Sequence, residues 1–249
     1  MKAKGLLRAA CAFWIAAAAA ACGPGERAAD LHAPPKNAER QPGIETPAPR
    51  PIVARPRIVA FGDSLTAGLG VRPQEAYPAL LQQRVDAAGL NYEVVNAGVS
   101  GETSAGGLRR LDWALQGDVR ALILALGAND GLRGLPPEQL RRNLAQMIET
   151  AQARGITVVL AGMEAPPNFG RAYIVEFHEI FPELARRYRT ALVPFLLEGV
   201  AGLGLMNQSD GIHPNAEGAT LVADNVWAVL RPALEKTPPR RRGEGTPGS

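Results

Sequence analysis

Cysteine is scarce in this chain: its 249 residues hold two, Cys11 and Cys22, beside three histidines and an aromatic content of 5%. Two cysteines are too few for a disulfide framework. Long hydrophobic runs are missing as well, since the unbroken apolar stretch at 9–21 falls short of the length that crosses a bilayer. No internal repeat is present. A basic excess is absent where it would count for nucleic-acid binding. The whole chain carries a net charge of +3, but residues 57–236 contain 16 Lys and Arg against 19 Asp and Glu, a net of −3. The positive charge sits at the two ends, which leaves the central part without the electrostatic footprint of a nucleic-acid binder. The run Arg240 to Arg242 reads as a solvated tail.

What is present begins with Lys2, Lys4 and Arg8 ahead of the apolar run, the charged and hydrophobic regions of a signal peptide over residues 1–21. Cys22 follows the small residues Ala20 and Ala21, where a lipoprotein signal peptidase cuts and a diacylglyceryl group is attached to sulfur. Ala19 stands where leucine is usual in such a site, and ordinary cleavage after Ala21 is the alternative. Either route exports the protein, and lipidation would leave it anchored to a membrane on the periplasmic side. Once Cys11 is removed, Cys22 is the sole thiol and no intrachain disulfide can form. Residues 22–56 are proline-rich and lack apolar periodicity, as a semi-extended tether does, and residues 237–249 have the same character.

Between these ends, residues 57–236 form one expected domain. Short apolar runs, IVAF, YEVVNA, ALILAL, ITVVLA and TALVPF, start roughly 30 to 35 residues apart, the length of a βα unit. Continuous rather than alternating apolar strands indicate a parallel sheet covered on both faces. Residues 137–154 place Leu140, Leu144, Met147, Ile148 and Ala151 on one helical face, with Pro136 and Pro137 before them and Gly155 after. Residues 215–234 form a closing helix with Ala219, Val222, Val226 and Val229 as its buried stripe. The expected fold is a three-layer α/β/α sandwich around a five-stranded, doubly wound parallel sheet.

In such sheets ligands bind beyond the carboxyl ends of the strands. There this chain places Gly62-Asp63-Ser64, then NAGVSGETS (96–104), GANDG (127–131) and, before the last helix, DGIHPN (210–215). Acyl transfer through a serine needs a base in reach of the hydroxyl, a group that holds the base, and donors for the oxyanion. His32 falls in the tether, and His178 lies on a helix beside Glu176 and Glu179, where a solvated face explains it. His213 remains, with Asp210 three residues before it. Taken singly, Asp210-Gly211 and Asn129-Asp130-Gly131 are also ordinary turns, and Gly101 an ordinary permissive loop residue. The Gly-x-Ser-x-Gly elbow of the other α/β hydrolases is absent.

FGDSLTAG, NAGVSGETS, LGANDG and DGIHPN together resemble the four sequence blocks of the GDSL, or SGNH, hydrolase family, over essentially the whole domain. The wording is closest to the bacterial exported lysophospholipase/acyl-CoA thioesterase branch, whose members also act as arylesterases. The resemblance implies a flavodoxin-like SGNH fold and a triad of Ser64, Asp210 and His213. It also implies an oxyanion hole of the Ser64 N–H, the Gly101 N–H and the Asn129 amide. Ala128 departs from the family's usual glycine and leaves Asn129 in place. No metal or cofactor is implied, and the expected partner is a small acyl ester or lysolipid. The loop MEAPPNFGRAY (163–173) resembles the family's mobile segment beside the acyl groove and equally an ordinary proline-rich connection. Two other readings are a metal-dependent phosphoesterase with Asp63, Asp130, Asp210 and His213 as ligands, and a lipid-tethered binding module without catalysis.

Overall fold

The computed structural model describes residues 54–236. The expected signal segment, Cys22, the tether up to residue 53 and the tail at 237–249 lie outside the described residues.

Five strands, β1 (Arg57–Gly62), β2 (Glu93–Gly98), β3 (Val119–Ala125), β4 (Thr157–Ala161) and β5 (Ala191–Val193), form one parallel sheet in the order β2-β1-β3-β4-β5. The helices are α1 (Ser64–Ala67), α2 (Tyr77–Ala87), α3 (Ser104–Ala114), α4 (Ala128–Leu132), α5 (Pro137–Ala153), α6 (Arg171–Tyr188) and α7 (Ala216–Glu235). They form two groups, α2 with α7 and α3 with α5 and α6, each packed on the strands. Among the described residues no helix is long and apolar enough to cross a membrane.

The apolar runs account for the sheet. Ile58 to Phe61 of β1 and Ala121 to Leu126 in and after β3 are fully buried, and each large side chain so placed contributes roughly 1.5–3 kcal/mol by leaving water. At the edge, Glu93 and Asn96 of β2 are exposed, so the continuous apolar pattern holds for the central strands only. α5 buries Leu140, Leu144, Met147, Ile148 and Ala151, the stripe its 3.6-residue period places together. α7 buries Ala219, Val222 and Val226, with Leu230 and Leu234 in the places nearest its end; Val229 is half-buried.

The strand order positions the site. From β1 the chain runs to β2 on one side and then crosses to β3 on the other, so the carboxyl ends of β1 and β3 flank a topological switch point. Gly62 pairs with both Gly98 of β2 and Ala125 of β3. The three loops after these strands therefore emerge side by side.

Candidate active site

β1 closes on Gly62, where only glycine fits: a Cβ there would land on Thr66 Oγ1 and 2.6 Å from the Ala125 carbonyl oxygen. Asp63 caps the next turn, its Oδ1 accepting the Leu65 N–H at 3.0 Å. The helix suggested by the sequence at this point is a single turn, Ser64–Ala67, stopped by Gly68 in the left-handed region at φ 78°. Four residues align few peptide dipoles, so anion stabilisation here comes from individual N–H groups rather than a macrodipole. Ser64 is nearly buried at the first position of this turn.

His213 reaches Ser64 from 149 residues away: its Nε2 lies 2.9 Å from Ser64 Oγ. Its Nδ1 lies 2.7 Å from Asp210 Oδ2, while Asp210 Oδ1 accepts the backbone N–H groups of Ile212 and His213, each at 3.0 Å. Gly211, at φ 75°, permits this tight turn. The His213 backbone bond first, then its ring and the Ile212 N–H, hold the Asp210 carboxyl down at about 2. Asp210 thus stays ionised wherever an imidazole titrates. It fixes the tautomer in which Nδ1–H donates to it and Nε2 accepts from the Ser64 hydroxyl.

Asn129, on the short α4 after β3, donates from Nδ2 to Asp63 Oδ2 at 3.1 Å. That is one of the two hydrogens on the amide nitrogen, and Asn129 lines the same cleft as Ser64 and His213. Asp63 is fully buried, and desolvation raises its carboxyl to about 6 against the opposing pull of Leu65, Asn129 and His213. Gly101 adopts φ 78° in the exposed loop after β2 and does not line the cleft. Its carbonyl accepts from Arg133 Nη2 at 2.8 Å, which joins the Gly101 loop to the Asn129 turn. The next residue, Glu102, forms a bidentate pair with Arg110, whose Nη2 also donates to the Gly62 carbonyl at 3.2 Å. The Gly101 loop is thereby pinned to the end of β1 as well.

Sequence reasoning missed four supporting residues. Asp63 was legible as a helix cap, from its place before a turn, but not as the acceptor for an amide 66 residues on. Asp130 is buried and takes both the N–H and the hydroxyl of Ser104, at 2.8 and 2.6 Å, and burial raises its pKa. Asn143 donates to the same Ser104 hydroxyl at 2.8 Å. Gln208 donates from Nε2 to the Leu69 carbonyl at 2.7 Å and the Pro214 carbonyl at 2.9 Å. That one amide brackets the segment after Ser64 against the loop that carries His213. We expect Gln208→Ala to lower kcat about tenfold and slow serine phosphonylation in parallel, with KM nearly unchanged, because a loosened base loses near-attack geometry. Unaltered phosphonylation would show that the Ser64–His213 distance is set without Gln208.

The metal-ligand set fails on geometry: Asp63 and Asp130 spend their carboxylates on separate N–H and O–H donors. Among the described residues, no three His, Cys, Asp or Glu side chains converge as a metal site requires. His178 is exposed on α6 as expected, but its partner is Glu164 rather than a neighbour on its own helix.

The cleft holding Ser64, Asn129 and His213 has a volume of about 350 Å³. Its other walls are mainly apolar, with Leu132, Met163, Phe195, Leu197 and Ile212 prominent, and residues 163–167 form one side. The sequence pattern of the GDSL-like Lipase/Acylhydrolase family matches residues 60–221. Esterase TesA of Pseudomonas aeruginosa is 47% identical over 178 residues, covering 71% of this chain and 89% of that protein. Thioesterase 1/protease 1/lysophospholipase L1 of Escherichia coli K12 is 37% identical over the same length, covering 71% of this chain and 84% of that one. Among solved structures, the psychrotrophic esterase EstA from a Pseudoalteromonas species, inhibited by monoethylphosphonate, superposes with a TM-score of 0.68 at 34% identity. That match covers 72% of this chain and 99% of the other.

Proposed function

The chain belongs to the GDSL-like Lipase/Acylhydrolase family and is a carboxylic ester hydrolase, and from that premise we propose that its acyl transfer runs through Ser64, His213 and Asp210. The observation that carries this assignment is the unbroken line from Ser64 Oγ to His213 Nε2 at 2.9 Å and from Nδ1 to Asp210 at 2.7 Å. In the reaction Ser64 Oγ attacks the carbonyl carbon of an ester or thioester while His213 Nε2 takes the hydroxyl proton. The tetrahedral oxyanion is held by the N–H of Ser64 and the free N–H of the Asn129 amide, with the Gly101 N–H proposed as a third donor although Gly101 is not among the residues that line the cleft. Collapse breaks the bond to the leaving oxygen or sulfur, to which His213 returns the proton. Water, deprotonated by the same imidazole, then releases the acid and restores Ser64.

Apolar cleft walls beside Ser64 support esters with an acyl chain or aryl group, including lysophospholipids. For location, the Lys2, Lys4 and Arg8 cluster, the apolar run and Cys22 support export to the periplasm with a lipid anchor on Cys22. An enzyme placed there meets lysolipids and small esters rather than acyl-CoA. Residues 57–236 act as the catalytic domain, with 22–56 as the tether and 237–249 as a solvated tail.

The test is hydrolysis of p-nitrophenyl esters from acetate to palmitate, with and without EDTA. We expect a burst of p-nitrophenol at high enzyme concentration and turnover indifferent to the chelator. Loss of turnover with EDTA, or its absence on every chain length in folded protein, would overturn the proposal.

A further inference from the structure

Glu164 is the one carboxylate among the side chains lining the cleft, whose remaining polar side chains are Ser64, Asn129 and His213. It follows β4 and stands just before Pro166 and Pro167, whose rings restrict the backbone of this segment. One oxygen, Oε1, lies 2.6 Å from Nδ1 of His178 on α6, which holds the side chain in place and leaves Oε2 free. Among the described residues no Arg or Lys forms an ion pair with Glu164, so when the exposed imidazole is neutral its negative charge is uncompensated. Phe195 is also among the lining residues. A carboxylate in an otherwise apolar groove that also holds an aromatic side chain is the chemistry that receives an ammonium group.

Resting on the esterase reading of Ser64, we infer that Glu164 makes the cleft charge-selective: it prefers esters bearing a primary or quaternary ammonium over neutral esters of the same shape, and disfavours anionic ones. Glu164 is a specificity residue and touches a part of the substrate remote from the scissile carbonyl. With its side chain 36% exposed, water screens it. The expected preference is therefore modest, about tenfold between cation and neutral isostere at low ionic strength, shrinking toward about twofold near 0.5 M salt.

The experiment measures kcat/KM of the full chain on two matched sets. In the first the charge is in the alcohol: hexanoate esters of choline, of 3,3-dimethylbutanol and of 3-hydroxypropanesulfonate. In the second it is in the acyl part: p-nitrophenyl esters of 6-trimethylammoniohexanoate, of 7,7-dimethyloctanoate and of adipate (monoester). The expected result is the order cation, neutral, anion in at least one set, with Glu164→Gln bringing the ratios near unity and Glu164→Arg reversing them. Rates indifferent to charge in both sets would overturn the inference. So would an order that persists in Glu164→Gln, because the field would then belong to the domain as a whole. Failure of the neutral esters to turn over would instead overturn the esterase reading, so the two failures are distinct.

Discussion

Ser64→Ala is expected to reduce ester turnover by about 10⁴- to 10⁶-fold and to abolish both the burst and labelling by a phosphonate, while the fold persists. The size follows from how the group acts: His213 and Asp210 can lower the barrier only through a hydroxyl placed 2.9 Å from the base. Without it, the cleft and the oxyanion donors can assist only attack by water. His213→Ala should therefore cost about as much as Ser64→Ala, and the double variant little more than either, because the residues act as a unit. Stability should change little. The Oγ of Ser64 caps nothing, Asp63 supplies the cap, and the hydroxyl's partner is the partly exposed His213. Phosphonate labelling of another serine in Ser64→Ala, or turnover within tenfold of wild type, would remove Ser64 as nucleophile.

Asp63→Asn is expected to lower kcat by about 10²- to 10³-fold, as much as deleting the Asn129 amide by Asn129→Ala. The carboxylate accepts two donors, the Leu65 N–H on Oδ1 and Asn129 Nδ2 on Oδ2. An asparagine has one acceptor oxygen, and if that serves Leu65 its own NH₂ faces Asn129. Asn129 then turns its carbonyl toward residue 63, and the place from which its second N–H served the oxyanion is filled by an oxygen with no hydrogen to give. Asp63 is thus a positioning residue, and the double variant Asp63→Asn/Asn129→Ala should cost no more than either single one. Full additivity would refute the coupling.

The same substitution has a second signature in stability. Burial raises Asp63 from 3.8 to about 6 in the folded protein, so between those values the native state binds a proton that the unfolded state has released. Stability from this group is therefore whole below about pH 4 and is lost as pH rises through about 6, a change on the order of 3 kcal/mol. Urea denaturation at pH 4 and pH 7 should show that loss in the wild type and not in Asp63→Asn. An identical pH dependence in the two proteins would mean that Asp63 is already ionised at low pH.

The sheet was legible because a strand buried on both faces must be a continuous apolar run; β1, β3 and β4 are buried at all but one residue each and plain in the sequence. α5 was legible for the analogous reason, one apolar face at helical spacing between proline and glycine. The edge strand β2 and the single-turn α1 fit those rules less well. An edge needs apolar cover on fewer sides, and a glycine four residues into a helix stops what its first residues begin.

The site divides in the same way. Sequence by itself determined the four polar blocks and their places after strands and before a helix, because glycines and capping residues are demanded by local backbone geometry. It also determined the Asp210–His213 spacing, which a single turn can close. Only tertiary structure decided that Ser64 meets His213, that Asp63 holds Asn129, that Gln208 brackets Leu69 against Pro214, and that Glu164 turns to His178. Except for Gln208–Pro214, these partners stand 14 to 149 residues apart. Their meeting depends on strand order and register, which apolar runs of similar composition do not encode one by one, and which the packing of the whole sheet fixes at once.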